Sequence, residues 1–132
     1  MADSNSISIR ISPGEVLDRL TILEIKSERM TDAAKLANVR REMDELAAVV
    51  ARAIPARDDI RRLHDELKTI NGKLWEIEDD IRDCERARDF GETFVALARA
   101  VYVTNDERAR LKHAINTALG SDIIEEKSYA PY

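Results

Sequence analysis

Apolar residues recur from Ile60 to Cys84 at alternating spacings of three and four: Ile60, Leu63, Leu67, Ile70, Leu74, Ile77, Ile81 and Cys84. Only an α-helix gathers such spacing into one stripe, and a mean period of about 3.5 residues favours left-handed pairing with another helix. A second register, Leu36, Val39, Met43, Leu46, Val50 and Ala53, precedes it, with Pro55 between the two. The pattern predicts two long helices folded back on each other as a coiled-coil-like hairpin.

Punctuation residues place the remaining elements. Ile7, Ile9 and Ile11 alternate with polar side chains, which predicts a short extended arm over residues 1–11. Such an arm pairs with a second copy, pairs with the tail, or lies across the bundle. At Ser12-Pro13-Gly14-Glu15 the chain carries a helix start, with Ser12 as cap, Pro13 at the first position and Glu15 completing a capping box. Capping is the simpler reading of this block, although backbone N–H groups there could also meet an anion.

The first helix should run to about Arg29 and bury Val16, Leu20 and Leu23. Asp32 caps a second helix that ends before Pro55, because a residue preceding proline is pushed out of helical geometry. A third spans roughly Asp58 to Arg88, and Gly91 marks a bend before a fourth, Glu92 to Val103, with Phe94, Leu97 and Val101 inward. Thr104-Asn105-Asp106-Glu107 reads as another capping box, opening a last helix through Leu111, Ile115 and Leu119 to Gly120. Residues 121–132 have no helical period. The prediction is one all-α domain over residues 1–132: an antiparallel bundle of four or five helices, an N-terminal arm and an irregular tail.

Composition agrees with long solvated helices, since 36% of residues are charged and only 5% aromatic. The net charge of −5 comes from interleaved acids and bases, which disfavours nucleic acid and an anionic membrane surface as partners. No apolar run approaches the roughly 18 residues of a membrane span. The N-terminal Met-Ala-Asp-Ser-Asn-Ser lacks basic residues, so a cytoplasmic location without membrane insertion is expected. The one cysteine excludes an internal disulfide; lying on the stripe, Cys84 reads as a small buried hydrophobe.

A second stripe runs beside the seam of the third helix: His64, Lys68, Asn71, Trp75, Glu78, Arg82 and Glu85. Trp75 is the only tryptophan and stands outside the seam. Leaving its side chain in water would forfeit about 2–3 kcal/mol of burial, so this face meets a neighbouring helix, a second subunit or a ligand. Gly72 points the same way, since a helical glycine costs about 1 kcal/mol relative to alanine and a close approach would offset that.

Other chemistries find less support. Glu42-x-x-Glu45 and Glu76-x-x-Asp79 imitate the acidic pairs of all-helical nucleoside-triphosphate pyrophosphohydrolases, but Glu45, Glu76 and Asp79 fall on faces turned away from the seams. Arg19, Lys26, Arg82 and Lys112 could hold a dicarboxylate between helices, as in small helical mutases, and are equally expected on solvated faces. His64 and His113 follow no Glu-x-x-His pattern, and neither a nucleophile elbow nor a glycine-rich phosphate loop occurs. No cofactor and no metal site is assigned. Tyr129 and Tyr132 in the tail either dock on the protein itself or form a motif for a partner.

Four blocks together resemble a family of small bacterial all-helical proteins of unknown function. They are Ser12-Pro13-Gly14-Glu15 with Asp18 and Thr21 to Lys26; Ile70-Asn71 with Leu74 to Asp79 and Ile81-Arg82; Leu97 to Tyr102 with Thr104-Asn105-Asp106; and Glu125 to Tyr129. The resemblance brings no activity, but its most distinctive block contains Asn71, Trp75, Glu78 and Arg82. The expectation is therefore a non-enzymatic protein-interaction or assembly module that forms a homodimer and holds a protein partner. The alternative is a small-molecule-binding protein or enzyme that takes an anionic ligand at Asn71, Trp75, Glu78 and Arg82, with Lys26 nearby.

Overall fold

The computed structural model describes residues 5–132, so the part of the N-terminal arm formed by Met1 to Ser4 lies outside the described residues. Four α-helices account for the regular structure: α1 (Pro13–Arg29), α2 (Ala33–Ala53), α3 (Asp58–Ala87) and α4 (Glu92–Ala118). The sequence signals set their ends. Ser12 Oγ accepts the Glu15 N–H at 3.1 Å, opening α1. Asp32 Oδ1 accepts from Ala34 and Lys35, opening α2, which stops at Ile54 before Pro55. Arg88 takes a left-handed conformation at φ 56°, and the Asp89 N–H reaches back to the Cys84 carbonyl, closing α3.

The helices pair differently from the expected hairpin. α2 and α3 do not pack along each other; α2 lies on α1, and α3 pairs with α4. The reason is the distribution of apolar surface. α1 packs against all three other helices and buries eight of its 17 residues, whereas α2 buries only Val39 of its 21. A helix with one narrow stripe is satisfied by a single neighbour. The α3 seam is instead consumed by α4 and α1: Ile60, Leu67, Ile77 and Cys84 are buried, the last as the small hydrophobe expected. The core gathers Leu17, Ile60, Leu67, Leu111 and Ile115 at the end of the molecule where α1 begins.

Two further expectations change. Thr104 does not open a fifth helix, because α4 runs unbroken through it. Thr104 is buried in register with Leu97, Leu111 and Ile115, so packing against α3 overrides the local capping signal. The second concerns only the pairing of the arm: residues 6–12 carry no helix and no strand partner among the described residues, and Ile7 and Ile9 remain 89% and 72% exposed.

The glycines also separate. A Cβ on Gly14 would stand 2.5 Å from the Lys112 carbonyl oxygen, so this glycine permits the close approach of α1 to α4. Its N–H donates to Asn116 Oδ1 at 2.7 Å, which is where the backbone of this helix start is spent. Gly72 has nothing within 4 Å of the same hypothetical atom, so no close approach explains it.

Candidate functional site

α1 carries Asp18 and Thr21 among its apolar positions, and both are completely buried. A buried carboxylate costs several kcal/mol unless paired. Arg108 of α4 supplies the pair with two hydrogen bonds, Nε to Asp18 Oδ1 at 2.9 Å and a terminal nitrogen to Oδ2. Asn71 of α3 spends its amide hydrogens on Asp18 Oδ1 and Thr21 Oγ1, each at 2.9 Å. Thr21 in turn donates to the Asp18 carbonyl at 2.8 Å. One network therefore ties α1, α3 and α4 together. Its hydrogen bond to Asp18 holds the Arg108 guanidinium above its ordinary value, against the opposing effect of burial.

Lys112 adjoins this network. Its Nζ donates to Glu15 at 2.8 Å and to Glu125 at 3.1 Å, and lies 4.0 Å from Asp18. Burial pulls the ammonium down, but those carboxylates together outweigh it and leave the group raised. Burial likewise pushes Glu15 up, and the hydrogen bonds from Lys112 and Arg19 reverse that, so its carboxyl ends below the usual range.

Directly beside the network an open groove of about 430 Å³ runs between α3 and α4. Ile22, Leu74, Trp75 and Val101 give it an apolar floor, while Glu78, Asp79, Asn105 and Arg108 stand at its edges. The second stripe of α3 explains its position. His64 contacts Glu24 at 3.1 Å, Lys68 donates to Glu28 at 2.7 Å, and Asn71 joins Asp18 and Thr21. The first three members of the stripe thus meet α1. Trp75 lies at the boundary, with the Arg29 guanidinium from the last residue of α1 at 5.9 Å from its ring centroid. Glu78, Arg82 and Glu85 continue along α3 and make no hydrogen bond or ion pair with α1, although Glu78 lines the groove together with Ile22 of α1. The stripe is a helix-binding face, and α1 occupies only its first half.

Of the residues singled out from sequence, Asn71, Trp75 and Glu78 line the groove. Arg82 stands one turn beyond, 74% exposed and 3.4 Å from Glu78. Lys26 is not brought to the site, because Arg29 rather than Lys26 overhangs Trp75. Of the dicarboxylate set only Arg19 and Lys112 come together, both on Glu15, which neutralises them, while Arg82 pairs with Glu78. Glu42 and Glu45 on α2 are exposed and lie on a helix that is not packed along the one carrying Glu76 and Asp79. Among the described residues no three His, Cys, Asp or Glu side chains form a metal-sized group. The tail returns along α4, where the Tyr132 hydroxyl donates to Asp106 at 2.6 Å and its ring meets Tyr102.

Sequence reasoning missed Asp18, Thr21 and Arg108 as site residues. The available signal was their register: Asp18 and Thr21 interrupt the apolar run Val16, Leu17, Leu20, Leu23, where a polar residue requires a buried partner.

No curated protein and no solved structure matches the chain. A family model does match, over residues 7–132, and on that extent the chain belongs to the family of unknown function DUF6165.

Proposed function

We propose that this protein is a non-enzymatic interaction module, and that its docking surface is the groove between α3 and α4 that Ile22 of α1 borders. The observation that carries the reading is the half-used stripe. His64, Lys68 and Asn71 hold a helix, and past Trp75, where Arg29 of α1 still reaches, the same face continues through Glu78 and Arg82 with no hydrogen bond or ion pair to one. A face already built to bind a helix, with an apolar floor and polar rim, suits a second helix in line with α1.

The polar groups beside the groove support the same reading. Asp18, Asn71, Thr21 and Arg108 are committed to one another, and Arg82 to Glu78. An anionic ligand would find Arg108 already neutralised and the carboxylates of Glu78 and Asp79 at the groove edge, so that alternative is the weaker. In this proposal the chain acts as one domain, an antiparallel helical bundle in the bacterial cytoplasm. No helix among the described residues is long and apolar enough to cross a membrane.

A photoreactive side chain tests the reading. Benzoyl-phenylalanine placed at Arg82 is expected to form a covalent adduct with protein in cells, and at exposed Arg62 near the start of α3 to form none. Absence of a protein adduct at position 82 would overturn it.

A further inference from the structure

The half of α4 that lines this groove is out of keeping with the rest of the chain. Thr93 to Asn105 contains one charged residue, Arg99, in a protein that is 36% charged. A helix apolar on every side belongs in an interior. Yet no residue from Thr93 to Val103 is buried, and Val95, Tyr102 and Val103 are about half exposed. Here the molecule is only two helices thick, because α1 stops at Arg29 beside Trp75. The distal parts of α3 and α4 form an arm with one open face, carrying Trp75, Glu78, Arg82 and Glu85 from α3, with Val101 of α4 beside Trp75 and Glu78.

Charge along the arm identifies what covers that face. On that face α3 presents Glu78 toward its root and Arg82 one turn further out, 3.4 Å apart, before Glu85. An acid and a base one turn apart on the same face complement those of a second copy turned end for end. Two-fold symmetry makes that arrangement closed and self-limiting. We propose that two copies of this chain pair arm to arm through this face, each filling the helix slot of the other to complete a four-helix bundle. This rests on the groove being a docking surface for a helix.

With the two-fold axis near Asp80, Glu78 of one copy faces Arg82 of the other. Trp75, whose indole N–H has no hydrogen-bond partner among the described residues, comes opposite Glu85 of the second copy. The open face is about 20 Å long and about 20 Å wide, a patch of roughly 400 Å². That is about half of a standard stable interface per partner, so the pair dissociates on dilution.

The test is sedimentation or light scattering over a dilution series, with Glu78→Arg and Arg82→Glu variants. Wild type should move from double to single mass as it is diluted. Each variant alone sets like charges opposite each other and should shift the midpoint about tenfold or more toward monomer. An equimolar mixture of the two variants places opposite charges together again and should recover the wild-type mass. Unchanged helical dichroism and melting in each variant show that folding is not the cause. Wild type at single mass throughout, or a mixture no heavier than its separate components, overturns the pairing. If position 82 cross-links to a different protein in cells while the purified chain stays single, the second copy is excluded and the helix-docking reading survives. If no protein adduct forms there, both fail.

Discussion

Asp18 of α1 and Arg108 of α4 are joined through two hydrogen bonds although 90 positions separate them, and the carboxylate has no exposed surface. This pair closes the network at the edge of the groove. Removing one member leaves the other charged and largely sequestered. Asp18→Ala is therefore expected to cost about 3–5 kcal/mol in urea unfolding. Replacing both residues together with apolar side chains of similar volume should recover most of that loss, since a buried pair contributes little beyond an apolar contact. Equal losses in the single and double variants would show that the pair has no special role.

The two helical glycines should respond with opposite signs. At Gly14 a methyl group would collide with backbone, the Lys112 carbonyl, and Gly14→Ala is expected to destabilise by about 1–3 kcal/mol. At Gly72 nothing stands within 4 Å, and Gly72→Ala should stabilise by about 1 kcal/mol through helix propensity. Thermal melting of the two variants beside wild type distinguishes the positions.

His64 introduces a pH dependence. Its hydrogen bond to Glu24 raises its affinity for a proton; burial opposes this and Asp65 adds to it, so the folded value lies above the ordinary one. Stability from the imidazolium is thus complete below the unfolded value of about 6.5 and is lost as pH rises through the folded value. Stability in urea should fall over the interval above about pH 6.5, by at most about 1 kcal/mol for this partly exposed pair. His64→Gln should flatten that interval, and an unchanged slope would assign it to other groups.

α2 should be the least protected helix in native-state hydrogen exchange. It packs on α1 alone and buries only Val39. Its amides are expected to exchange by local opening, ahead of those around Leu67, Leu111 and Ile115, which are at most 1% exposed. Exchange of α2 at the global rate would mean that the molecule opens only as a unit.

How much of this the chain displayed in advance depended on the range of the interaction. Caps and breaks act within a few residues, and Ser12, Asp32 and Pro55 mark the ends of α1 and α2 as expected. Periodicity identified the α3 seam for the same reason. Pairing is a longer-range matter: the stripes on α2 and α3 look complementary, and only the greater burial of α1 decides that they do not meet. Thr104 shows the conflict at one residue, where a sound local cap is overridden by its place on the α4 seam. The stripe from His64 to Glu85 was visible as a face with a purpose, but the point where α1 ends along it was not. That point depends on the register between helices, which Asp18, Asn71 and Arg108 set.

The reach from Gly14 to Asn116 and from Asp18 to Arg108 also dictates when the molecule can fold. As the chain leaves the ribosome, α1 emerges first and finds α2 quickly, but its buried carboxylate has no guanidinium until position 108 has been synthesised. Until then the first helix is an amphipathic segment with its set of three neighbours incomplete. A fragment ending at residue 107 should accordingly show helical dichroism without a cooperative melt. Growth past Asn116 converts a string of helices into a folded protein.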